Sequence, residues 1–148
     1  MGLLFNNLGR LDCKIIELDR NVIAEAQSLS EGGHAYNTTE SLSLSYFWVL
    51  GAYELVRVLD QRAEEGDPFC SRNFPKVKEL KHEFERIRIP LAKLEASRRN
   101  KTTDFQTAIP IFDLIKEGTS WIVAPNVAIS RRELADKLLD QLTATNDT

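Results

Sequence analysis

The chain has 148 residues, 43% hydrophobic and 28% charged, with a formal net charge of −3 at pH 7. That length suits one domain, residues 1–148, with a core large enough to need no disulfide or metal staples. The slight negative charge excludes a molecule drawn as a whole to nucleic acid. The two cysteines, Cys13 and Cys70, are too few and too far apart for a disulfide framework and read as reduced thiols.

The first ten residues, MGLLFNNLGR, lack the basic start and the long apolar run of a signal peptide. Gly2 follows Met1, but Asn6 stands where a myristoylation pattern needs Ser or Thr. The expectation is a cytoplasmic protein.

From Leu8 onward the apolar residues fall seven apart: Leu8, Ile15, Val22 and Leu29. Leu11 and Leu18 fill a second seam, which Glu25 breaks. Asp12, Lys14, Asp19, Arg20 and Gln27 are assigned to the opposite face. This predicts an amphipathic helix over 7–30, with Asn6 or Asn7 able to cap it. Its stripe can pack within the chain or pair two copies. Gly32-Gly33 ends it, and a loop carrying His34 follows.

Residues 42–59, LSLSYFWVLGAYELVRVL, are apolar almost all the way round a helix. Such a helix is buried in protein or in a membrane. Its fully apolar part, Tyr46 to Tyr53, falls short of the ~20 residues a span needs. The segment is therefore expected at the centre of a helical bundle, with no membrane association. Gly51 predicts close approach of a neighbouring helix, and Thr38 or Thr39 is the expected N-cap. Glu54 and Arg57 lie three apart, within reach of each other. They form an ion pair at the bundle end or the charged lining of a ligand site.

Gly66-Asp67-Pro68 breaks the chain. A third helix is expected from Ser71, with Pro75 in its first turn. Its stripe reads Phe74, Val77, Leu80, Phe84, Ile87, Leu91, Leu94, and it continues across Pro90, which predicts a kink and no reversal. His82 falls off the stripe and is expected in solvent. From Arg86 to Lys101 the chain gains positive charge through Arg86, Arg88, Lys93, Arg98, Arg99 and Lys101. This is a solvated helix face followed by a basic loop, or a patch for phosphate or RNA. The charges are not interleaved with the aromatic residues a single-strand binder uses, which favours the former.

Helical periodicity fades after Thr102. Ala108 to Phe112 and Ser120 to Ala124 are short apolar β-branched runs, with Lys116-Glu117-Gly118 as a turn between them. A small hairpin or flap is expected near 108–124, held by packing of Phe112 and Trp121 on helices. Ser130-Arg131-Arg132-Glu133 reads as a capping box opening a last helix to about Leu142.

Phosphate loops, paired zinc ligands and a nucleophile elbow are absent from the sequence. Glu79 and His82 form one Glu-x-x-His, but a bundle metal site needs two copies on facing helices. ISRRELADKLLDQL looks like the first helix of a helix-turn-helix, but no recognition helix follows it, so DNA recognition is not expected. The long helical hairpin with its polar row is similar to HEPN-type helical bundles, some of which are RNases. Active members carry an Arg followed four to six residues later by His. Neither His34 nor His82 has such an Arg, so the resemblance carries over no catalytic residue.

The fold expected is mainly α: a four-helix up-down bundle, its third helix kinked at Pro90, with a small β-hairpin or flap. The function expected is a non-enzymatic interaction or accessory protein, acting as a homodimer through apolar helix surface and the Trp121 flap, with no metal or cofactor. The alternatives are a site for a small anion or nucleotide framed by Glu54, Arg57, Arg86 and Arg88, and a degenerate HEPN-like, RNA-associated protein.

Overall fold

The computed structural model describes residues 2–28, 38–74 and 76–143. The expectations for Leu29, Gly32-Gly33, His34 and Pro75 lie outside the described residues. The protein is mainly helical with a small three-stranded antiparallel sheet. In chain order the elements are α1 (Gly2–Ser28), α2 (Thr39–Glu64), α3 (Pro68–Asn73), α4 (Val77–Lys93), β1 (Ile109–Asp113), β2 (Gly118–Ala124), β3 (Val127–Ser130) and α5 (Arg131–Thr143).

The first helix is already formed at Gly2, four or five residues before the expected cap, so Asn6 and Asn7 lie inside it. Leu8, Ile15 and Val22 are buried, so the heptad seam is spent on the chain's own core. Asp19 is fully buried on the inner side, not on the outer face where the sequence placed it. A carboxylate survives there because α2 and α5 supply its partners.

On α2 the buried residues Trp48, Val49, Ala52, Leu55, Val56 and Leu59 meet α1 on one side and α4 on the other. A side chain added at Gly51 would stand 3.0 Å from Leu8 Cδ2, so the expected close approach is there. The helix is not enclosed on every side. Ser43, Phe47, Glu54 and Arg57 form an outward row, and Phe47 is 60% exposed. Helices α1 and α4 cover its other rows, and this one stays outside. Thr38 occupies the N-cap position but makes no side-chain capping bond. Thr39–Glu64 is long and apolar enough to cross a bilayer by length and composition alone, with a mean hydropathy of 1.3 over its most apolar window. Its inner rows face protein.

The single helix expected from Ser71 is two. Asp67 accepts from the backbone N–H of Phe69 at 2.9 Å and of Cys70 at 3.4 Å, and with Pro68 at the first position it starts α3. Phe74 then leaves helical geometry, with φ −126° and ψ 59°, and α4 begins at Val77. Helix α4 runs through the buried Pro90 and ends three residues later, where Leu94 takes a left-handed φ of 55°. Leu94 is therefore 69% exposed and leaves the apolar stripe.

The expected hairpin pairs Ile109 with Ile122 through Asp113 with Gly118. Pro110, which lacks a donor, is tolerated because β1 is an edge strand. Strand β3 was not expected. It pairs Ser130 with Ser120, and this moves Ser130 from helix cap into sheet. The capping box does not form: the Ser130 hydroxyl is buried without a hydrogen-bond partner, and Glu133 binds Lys116. Trp121 and Val123 on β2 are buried with Trp48, Phe84 and Leu134 in one core.

Candidate functional site

The residues singled out in the sequence go to four places. Arg57 Nε donates to Glu54 Oε2 at 2.8 Å, and both side chains are nearly half exposed. Arg86 makes two 2.8 Å bonds to Asp104, whose carboxylate is fully buried. This fork pins the loop after α4 back onto the helix, and it holds the Arg86 guanidinium charged above its usual range. Arg88 stacks over the Tyr53 ring at 5.1 Å. Trp121 is buried in the core. These side chains form local pairs, each already satisfied, and do not converge around a common space. His82 is half-buried, not solvated, with Nδ1 3.0 Å from Glu85 Oε2. Among the described residues no group of three or more His, Cys, Asp or Glu side chains is placed to hold a metal ion.

The site the sequence did not reveal is a buried charged knot. Arg131, the first residue of α5, is fully buried. It donates through one terminal nitrogen to Asp12 and through the other to Asp19 at 3.5 Å. Its guanidinium also lies 5.6 Å from the centre of the Trp48 ring. Ser41 of α2 donates to the second oxygen of Asp19. Burial pushes the Asp19 carboxyl up from its ordinary value, and the Ser41 bond and the Arg131 charge pull it back. The backbone of β2 closes over this carboxylate. A Cβ on Gly118 would stand only 2.7 Å from Asp19 Oδ2. Four elements therefore meet on two side chains, Asp19 and Arg131. Breaking such a pair leaves an uncompensated buried charge, at a cost of roughly 3–5 kcal/mol.

The knot ties the start of α5 to α1, and beside it an apolar groove opens. One part, about 170 Å³, is lined by Phe5, Leu8, Leu55, Leu138, Leu139 and Leu142, with Asp12, Trp48 and Asp136 also at its walls. A wider part, about 540 Å³, is lined by Phe5, Leu59, Arg62, Phe69, Phe74 and Leu142. Phe5 and Leu142 belong to both, so the two parts are one trough. From Trp48 to Arg62 along α2 the trough spans roughly 20 Å, at 1.5 Å per helical residue. Phe69 is 63% exposed and Leu139 57%. Arg62 stands at one end and Asp136 at the other, both exposed.

No family model, no curated protein and no solved structure matches this chain.

Proposed function

We propose that this chain is a non-enzymatic interaction protein of the cytoplasm that self-associates through the trough between α1, α3 and α5. The observation that carries this is the trough itself. A two-fold interface uses the same patch on both copies, so the patch must hold both projections and recesses. Here the exposed Phe69 stands beside the recess over Phe5, Leu59 and Phe74, and the exposed Leu139 beside the recess over Leu8, Leu55 and Leu138. Arg62 and Asp136 sit at opposite ends. A second copy turned by half a revolution brings each Arg62 against the other copy's Asp136, which fixes the register. Packing of α1 on α2, of α2 on α4 and of α4 on α5 supports reading the scaffold as an up-down bundle that presents this face.

The heptad stripe of α1 is not the interface in this reading, because it already packs inside the chain. Burial of Trp121 likewise leaves it a core role beneath the interface scaffold. The test is light scattering coupled to gel filtration. The wild-type chain elutes above its 16.8 kDa monomer mass, approaching twice that value as concentration rises. Leu139→Asp buries a charge at any such interface and returns the protein to monomer mass without unfolding it, since Leu139 is exposed. A wild-type chain that stays monomeric at every concentration overturns the proposal.

A further inference from the structure

The basic segment singled out in the sequence takes a definite shape away from the trough. After α4 the chain turns through a single 3₁₀ turn, Arg98–Asn100. Backbone bonds of 2.8–3.0 Å from Asn100 to Ser97, and from Thr103 and Asp104 to Asn100, close it on itself. Ser97 beneath it is 2% exposed. The Arg86–Asp104 fork anchors its far side. Between this turn and the end of α4 lies a cleft of about 600 Å³, lined by Ile89, Lys93, Ala96, Arg98, Arg99 and Lys101, with Glu85 and Glu95 at its walls.

The charges in the cleft do not cancel. Glu85 is engaged by His82, and Glu95 lies 3.9 Å from Lys93. Among the described residues, Arg98, Arg99 and Lys101 have no carboxylate within ion-pair distance. Three unpaired cations are thus held on one short, rigid turn of a chain whose net charge is −3. Like charges so placed repel one another, and an anion relieves the repulsion. The cleft walls offer Ile89 and Ala96 but no aromatic ring, so they provide for charge and not for base stacking. Arginine forks match phosphate oxygens in pairs. Arg98 to Lys101 spans about 6 Å along a 3₁₀ rise, room for adjacent phosphoryl groups.

We propose that the cleft between the end of α4 and the Arg98–Lys101 turn binds an oligophosphate, a run of two or more adjacent phosphoryl groups. The chemistry is shared by free oligophosphates and by the backbone of single-stranded nucleic acid. Two probes separate these sources: inorganic tripolyphosphate, followed by calorimetry, and a fluorescent single-stranded oligouridylate, followed by anisotropy, both at low salt. The variant Arg98→Ala/Arg99→Ala/Lys101→Ala is compared with Arg10→Ala/Lys14→Ala/Arg20→Ala, which removes the same charge from the exposed side of α1. Circular dichroism establishes that both variants stay folded.

At least one probe binds the wild-type chain, and the turn variant weakens that binding by about tenfold or more, while the α1 variant stays within about twofold. With three phosphate contacts the logarithm of affinity for oligouridylate falls with the logarithm of salt at a slope near −2, from roughly 0.7 per contact. Binding of tripolyphosphate alone assigns the cleft to free oligophosphates, and binding of oligouridylate assigns it to a nucleic-acid backbone. If neither probe binds, or if both variants weaken binding equally, the proposal is wrong. None of these outcomes depends on self-association, because the cleft and the trough share no residue.

Discussion

Replacing Gly118 by alanine tests the buried knot with a single methyl group. The new Cβ would lie 2.7 Å from Asp19 Oδ2 and 3.3 Å from Cγ, about 0.7 Å short of the 3.4 Å at which ordinary contact begins. A free carboxylate would swing away. This one is fully buried, accepts from Ser41 and faces Arg131 at 3.5 Å, so any retreat gives up one of these partners. The expected loss is about 3 kcal/mol, the lower end of what breaking a buried pair costs. Alanine's entropic advantage over glycine, roughly 0.5–1 kcal/mol, offsets only part of it. Urea unfolding read by tryptophan fluorescence measures this well, because Trp48 and Trp121 are both buried. Gly9→Ala on exposed helix, where an added Cβ meets nothing within 4 Å, should instead gain up to about 1 kcal/mol. In an Asp19→Ala background the clash disappears, so Gly118→Ala should become nearly neutral. A Gly118→Ala effect below about 0.5 kcal/mol, or one that adds fully to Asp19→Ala, refutes the reasoning.

Two further outcomes follow from the charged contacts. The folded chain holds the Asp19 proton more tightly than the unfolded chain, so this group's contribution to stability is full below the ordinary value of 3.8 and falls as pH rises through the raised folded value. The stability of the wild-type chain relative to Asp19→Asn should therefore decline on going from acid to neutral pH in parallel urea titrations, and a rise over that interval contradicts the assignment. Arg86→Ala leaves the buried Asp104 carboxylate unpaired and should cost roughly 3 kcal/mol in the same assay, with faster hydrogen exchange in residues 98–105, whereas unchanged exchange there means the fork does not anchor the loop.

Much of the helical skeleton was legible because burial imposes a period. Leu8, Ile15 and Val22 at sevens, and Val77, Leu80, Phe84 and Ile87 at threes and fours, each mark the face that the structure buries. Gly51 correctly announced the approach of α1. What failed were features decided by distant partners. Asp19 reads as a surface residue until Arg131, 112 positions away, neutralises it. Ser130 and Glu133 match a capping box, yet pairing of β3 with β2 claims Ser130 for the sheet. Strand β3 is only four residues long, too short to show a period of two. Phe47 is apolar but outward, and residue type alone does not say which row of α2 is left uncovered.

The site was less legible than the fold for the same reason. Glu54 and Arg57 on α2 and Arg86 and Arg88 in the basic stretch read as one charged set between helices, yet each finds its own local partner. The knot and trough draw residues from α1, α2, α3, β2 and α5, and no spacing in the sequence joins them.

The most direct measurement is sedimentation equilibrium of Arg62→Glu and Asp136→Arg, each alone and both together. Each single change sets like charges against one another at both ends of a two-fold trough, and association should weaken severalfold. The double change exchanges the charges, and association should return toward that of the wild-type chain. Single variants that associate as strongly as wild type, or a double variant weaker than either single, would contradict a second copy in the trough.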